Sequence, residues 1–306
     1  MGDNRLHIEC VLNKGPIYRP FISYMDKNKK VYLDMKQQWQ NEFSQQGYIV
    51  IEQGIEAALL AQLQVYAQQL LFDAKVMAMQ GKDLNNIAVY KQSGQLSISR
   101  INDLFRYQAH FASLLTHLNV LNVAEALIGE PVLPVYESLV IKDPINTESF
   151  DWHRDMAVRS DERIVTMGIY LDDSLAEQGA LKVIPGSQMQ AHSVCEFKEA
   201  VEQGSVASQN IAVKAGDVVI HHVNTVHGSD KQLTNDLRRT IYFEFRAVSH
   251  LKNNPRFSEH WLNQRVRLME QLKSKATGND SNAIVLPTDF YQEQLRIEPA
   301  EYCFKF

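Results

Sequence analysis

Residues 150–158 read FDWHRDMAV, with His153 and Asp155 two positions apart inside an apolar, aromatic frame. Side chains alternate faces along an extended segment, so these two point one way and Arg154 the other. An imidazole and a carboxylate on one face can supply two ligands to one metal ion. Two histidines and a carboxylate on one side of non-haem Fe(II) leave positions open for a cosubstrate and O₂. The same donors with one open position also suit a catalytic zinc.

A third ligand must come from a distant segment. HHVNTVHGSD (221–230) offers His221, His222 and His227. His221 and His222 are neighbours at the end of an apolar run, so at most one of them points inward. His227 stands in His-Gly-Ser, where the glycine permits a close backbone approach. Residue types and geometry leave these alternatives open. NDLRRTIYFEF (235–245) follows, with Arg238, Thr240, Tyr242 and Glu244 on one face and Arg239, Ile241, Phe243 and Phe245 on the other. An arginine pointing into an otherwise apolar barrel needs an anion, and a carboxylate held bidentately is the natural partner.

The elements that must position these groups are mostly β. Segments 131–144, 163–173, 180–187, 210–222 and 238–248 are β-rich and separated by Pro, Gly, Asp and Asn turn signals. Strands in series without intervening helical patterns predict a sandwich or jelly roll rather than a parallel α/β sheet. GYIVIEQ (47–53) predicts a short strand. A helical face follows through Ile55, Leu59, Leu63, Tyr66 and Leu70. EAVEQGSVASQ (199–209) reads as a loop over one end. A second helix is expected over 256–275, with Leu262, Val266, Met269 and Leu272 on one stripe and Arg265, Arg267 and Lys273 on a solvated face. Trp152 reads as core. Arg154, Arg159, Arg163 and Arg246 are either solvated charges or readers of an anionic substrate, and Tyr136, Glu137 and Asn224 are possible pocket residues. The expected organisation is one domain: an arm over 1–42, a core over 43–248 and a C-terminal helical extension over 249–306.

With 31 basic and 36 acidic residues the net charge is −5, and no basic cluster stands out. That argues against a nucleic-acid or anionic-membrane partner. No apolar stretch approaches the length of a membrane span, and the N-terminus has no basic-then-apolar signal. Cys10, Cys195 and Cys303 are odd in number and far apart, which suits reduced thiols and a soluble, cytoplasmic protein. Oligomeric state is not legible.

Taken in order, the motifs resemble the phytanoyl-CoA dioxygenase family of Fe(II)/2-oxoglutarate enzymes. They run Trp152-His153-Arg154-Asp155, Leu171-Asp172-Asp173, GALKVIPGS (179–187), Gly216-Asp217, His227-Gly228-Ser229 and Arg238. FSQQGYIVIEQGIEAALLAQL (43–63) is similar to the family's opening strand and helix. The resemblance spans 43–248. It implies a mostly β fold with flanking helices around a double-stranded β-helix, jelly-roll or cupin-like core. It makes His153, Asp155 and His227 the iron ligands and catalytic centre, and has Arg238 grip the distal carboxylate of 2-oxoglutarate. Thr166 and Lys142 are further expected cosubstrate contacts, and His222 a non-ligand. Gln178-Gly179 replaces the family's usual Asn-Gly, and Gln188 its histidine after Pro-Gly-Ser. The implied reaction consumes O₂ and 2-oxoglutarate, releases succinate and CO₂, and hydroxylates an unactivated C–H bond of a small metabolite or a carrier-bound acyl or aminoacyl group. Halogenating relatives replace the carboxylate ligand by Gly or Ala, so Asp155 argues against halogenation. A zinc hydrolase of cupin-like fold and a non-catalytic small-molecule binder are the alternative readings.

Overall fold

The computed structural model describes residues 35–159, 162–276, 284–287, 289–291 and 298–303. Most of the expected arm, including Cys10, lies outside the described residues, and 35–46 form a helix.

Two antiparallel sheets face each other. The larger has seven strands in the order β1-β9-β6-β11-β4-β3-β2, and the smaller five in the order β12-β5-β10-β7-β8. The larger comprises β1 (Tyr48–Ile51), β2 (Ile87–Gln92), β3 (Gln95–Asn102), β4 (Val132–Lys142), β6 (Ile164–Tyr170), β9 (Val218–His222) and β11 (Arg238–Ala247). The smaller comprises β5 (Phe150–Arg154), β7 (Leu181–Val183), β8 (Gln209–Ile211), β10 (His227–Ser229) and β12 (Glu301–Tyr302). Of the sandwich or jelly roll that the strand series predicts, this is the jelly roll, the double-stranded β-helix core that the resemblance implies, with helices flanking it.

Strand β11 shows how the two faces divide. Ile241, Phe243 and Phe245 are fully buried in the main apolar cluster, which helices 57–79, 118–128 and 259–276 complete. Arg238, Tyr242 and Glu244 turn the other way and line a cavity between the sheets. Arg239 belongs to the helical side. It grips Asp172 through Nε at 2.8 Å and Nη2 at 2.9 Å, and donates to Gln64 O, so it ties helix 57–79 to the sheet.

Several expectations change. The β-rich run over 210–222 is two strands broken by the Gly216-Asp217 turn, where Asp217 accepts from Gln53 N and Lys214 N. The expected loop over 199–209 begins inside a helix, Val194–Glu202. Ser193 caps it and Glu196 reaches back to Ser193 N at 2.7 Å, a capping box written in the sequence as Ser-x-x-Glu. Arg265 is buried rather than solvated, its guanidinium 4.0 Å from the Phe290 ring centroid. Arg154 and Arg246 are buried too, each held by protein partners. Cys195 and Cys303, read as free thiols, form a disulfide across 108 residues of sequence. The docking of the chain end beside helix 194–202 creates that pairing, which cysteine spacing does not reveal. The cysteine count therefore carries no argument about compartment. No single helix among the described residues is long and apolar enough to cross a membrane.

Candidate active site

The two candidate histidine ligands are brought together by strand pairing. His227 of β10 sits in register opposite His153 of β5, and Tyr302 of β12 lies opposite His153 on its other side. Gly228 is required for this approach: a Cβ there would stand 2.7 Å from Phe150 O, inside contact distance. Asp155 follows directly after β5, where its N–H donates to Val223 O.

Each imidazole is aimed by its other nitrogen. His153 Nδ1–H donates to Asp151 O at 2.8 Å and His227 Nδ1–H to Thr225 O at 2.9 Å. Both Nε2 atoms are left facing the carboxylate. Asp155 Oδ1 lies 3.5 Å from His227 Nε2 and 3.9 Å from His153 Nε2. The three ligand atoms all fall within 4.8 Å of one another. The second carboxylate oxygen accepts from the Thr166 hydroxyl at 2.6 Å, which fixes the plane of the carboxylate.

Protonation states favour a metal. Burial brings both His153 and His227 down to about 4, so the imidazoles are neutral near pH 7. Burial alone would raise Asp155, but the surrounding His227, His221 and His153, helped by the Thr166 hydroxyl, bring it down to about 2. Two neutral imidazoles and an ionised carboxylate converging on one point fit a divalent ion such as Fe(II).

His221 is the inward member of the adjacent histidine pair. It is buried, 3.8 Å from Asp155 Oδ2, with its ring centroid 4.4 Å from that of His227. His222 points away: its Nε2 bonds Glu162 O and its Nδ1 accepts from Asn224 N. Asn224 is a bracket rather than a pocket residue, since its amide spans both backbone groups of Val158. Glu137 faces the helical side, bonded to Tyr291, and burial pushes its carboxyl up to about 7. Trp152 packs among Ile184, Val194 and Phe197.

A second polar group lies at Arg238 and Lys142, which are register partners on β11 and β4. Among the described residues Arg238 has no carboxylate partner. Its guanidinium donates to Ser174 Oγ and Gly179 O. Lys142 donates to Ser229 Oγ at 2.9 Å and Asp230 O at 2.8 Å, and burial, then the charge of Arg238, lowers its ammonium to about 7. Gly179 makes room for this pair: φ is +66° and a Cβ would lie 2.9 Å from Lys142 Nζ. Arg238 and Lys142 are buried with no ion-paired acid among the described residues, a charge arrangement that a bound anion would balance.

The cavity that takes in the three donors and Arg238 has a volume of about 380 Å³, within the range of small-molecule sites; Lys142 lies behind its wall, bonded to the lining Ser229. The chain end supplies one wall through Glu298, Ala300 and Tyr302. The Tyr302 ring stacks on His153 at 4.9 Å and 13°. Nothing in the local sequence marks these residues, because only long-range pairing brings them in.

The family profile described as phytanoyl-CoA dioxygenase (PhyH) matches residues 43–240, about two-thirds of the chain. A probable alpha-ketoglutarate-dependent hypophosphite dioxygenase of Stutzerimonas stutzeri is 23% identical over 226 residues, covering 68% of this chain and 78% of that protein. An ectoine dioxygenase of Sphingopyxis alaskensis is 26% identical over 241 residues, covering 70% and 76%. The crystal structure of EctD from S. alaskensis in its apoform superimposes with a TM-score of 0.57 at 26% identity, over 69% of this chain and 76% of that one. EctD has also been solved with bound Fe, and with 2-oxoglutarate and 5-hydroxyectoine. The convergent donors agree with the profile that covers about two-thirds of the sequence, and this chain belongs to the phytanoyl-CoA dioxygenase family of Fe(II)/2-oxoglutarate-dependent dioxygenases.

Proposed function

We propose that the enzyme hydroxylates an unactivated C–H bond of a small metabolite, or of an acyl or aminoacyl group presented on a carrier. His153, Asp155 and His227 are the proposed iron ligands, and Arg238 holds the distal carboxylate of 2-oxoglutarate. The observation that carries this reading is the pairing of a three-donor cluster with a buried, acid-free arginine on one cavity.

Fe(II) with 2-oxoglutarate and O₂ supplies oxidative decarboxylation to succinate and CO₂, coupled to oxidation of the substrate. The chain's residues orient and enclose. Arg238 and Lys142 set the direction of the keto acid by binding its far end. Thr166 holds Asp155 so that Oδ1 faces the histidines. Tyr302 and the residues before it limit water access on the side of His153. Asp155 occupies the carboxylate position, which supports oxygen insertion over halogenation.

The test is turnover with isotopically heavy dioxygen, Fe(II), 2-oxoglutarate and a panel of amino acids, cyclic amidines and acyl carriers. A product carrying one heavy oxygen atom with one equivalent of succinate is expected. Succinate with an unlabelled, desaturated or epimerised product would replace hydroxylation by another oxidation. Product formed with zinc and without the keto acid would favour hydrolysis.

A further inference from the structure

Arg100 and Asn102 lie two apart on β3, so both project from one face, in register with Val140 and Ser138 of β4. Both line the same cavity as His153, Asp155 and His227. Asn102 Oδ1 accepts from the Tyr136 hydroxyl at 2.7 Å. Its carbonyl is thereby used, and its amide nitrogen remains as a donor.

The charges around the cavity isolate Arg100. Arg246 is closed by Glu244 at 2.6 Å and Glu298 at 2.8 Å. Arg238 is assigned to the keto acid, and Lys142 donates to Ser229 and Asp230. Among the described residues, Arg100 has no carboxylate partner, although it is exposed to the cavity and its charge is felt at Tyr136, Tyr302 and His153. A guanidinium and an amide N–H₂ on neighbouring positions of one strand face match the two oxygens of a planar or tetrahedral oxyanion.

We infer that Arg100 and Asn102 form the subsite that anchors an oxyanion group of the substrate, a carboxylate or a phosphorus oxyanion. This assignment rests on the oxygenase reading above. Anchoring at Arg100 fixes one end of the substrate within the metal cavity, so the distance from the anion to the oxidised atom becomes the selected feature. Neutral analogues forgo the charge-assisted hydrogen bonds to Arg100 and bind more weakly.

The experiment loads the full chain with Fe(II) and 2-oxoglutarate without oxygen, then titrates acetate, hypophosphite and acetamide while following the visible band of the chelated keto acid. Arg100→Gln, Arg100→Lys and Asn102→Ala are compared with the wild type. Acetate or hypophosphite is expected to perturb the wild-type band, with apparent affinity about tenfold lower in Arg100→Gln and partly restored in Arg100→Lys. Acetamide is expected to have no effect. A stronger response to acetate than to hypophosphite identifies a carboxylate site, and the reverse a phosphorus oxyanion site. No perturbation by either anion up to roughly 0.1 M, or equal perturbation in Arg100→Gln, overturns the subsite. Failure of the band to form at all counts against the oxygenase reading instead. In that event the side-chain N–H NMR signal lost in Arg100→Gln is followed in the metal-free chain: a shift with acetate supports the subsite, and no shift overturns it.

Discussion

Thr166 makes the shortest approach to the carboxylate of the proposed iron site, and its effect is separable from that of the proposed ligands. Its hydroxyl donates to Asp155 Oδ2 at 2.6 Å while Oδ1 faces His227. Thr166→Val keeps the volume and the β-branch and removes only that donor. Fe(II) affinity is expected to fall about 10- to 100-fold with the fold retained, as for other partners that orient a ligand; an unchanged Fe(II) titration would remove Thr166 from the site. Lys142 carries a pH signature. Its ammonium is lowered to about 7 by burial and then by Arg238, so in the ligand-free chain it loses its proton as pH rises through that value. A bound carboxylate favours the protonated form. Binding of 2-oxoglutarate near pH 8 is therefore expected to take up close to one proton, and its affinity to fall as pH rises above about 7. Calorimetric titration in buffers of different ionisation enthalpy measures this uptake, and Lys142→Met should abolish it. Absence of uptake in the wild type would show that Lys142 does not sense the keto acid.

At the scale of elements, residues 298–303 wall the site and are held by ion pairs and a disulfide. Glu301 of β12 pairs with Arg154 at 2.9 Å and accepts from Val194 N. Glu298 pairs with the buried Arg246. Cys303 is bonded to Cys195 of helix 194–202. Cys303→Ser, or reduction of the wild type, is expected to lower stability by about 2–4 kcal/mol. It should also expose the residues around β12 to limited proteolysis. Urea unfolding and protease mapping, each with and without reductant, check this. An identical cleavage pattern under both conditions would mean that the ion pairs alone hold the wall. These ties are the part of the site least legible in sequence. β12 has two residues and exists only because β5 offers an edge. The hairpin β2–β3 is absent from the sequence expectations, although it carries a local signal. Two alternating runs flank Ser93-Gly94, and both turn residues have positive φ, 52° and 78°, as a tight hairpin demands. Ser193-x-x-Glu196 is likewise a helix-start signal that the expected loop over 199–209 overlooks.

For the whole molecule, the longer strands β4, β6, β9 and β11 and the inward face of β11 are legible because period-two alternation and burial follow from the same pleat. His153 and Asp155 on one face, and Arg238 opposed to Arg239, follow from that alternation alone. Which of His221, His222 and His227 completes the cluster does not, since it depends on the pairing of β10 with β5 across 74 residues of chain. Ordered motifs supplied that choice, and the register of His227 opposite His153 agrees with it. Arg100 and Tyr302 escaped because neither has a local signature. The proposed chemistry requires these separated residues to act as one centre. Anaerobic titration of the metal-free protein with Fe(II) and 2-oxoglutarate tests this most directly, through the weak visible charge-transfer band of the chelated keto acid. The band is expected in the wild type, absent in His227→Ala and weakened in Arg238→Ala. No band in the wild type, with tight binding of zinc in its place, would contradict the assignment.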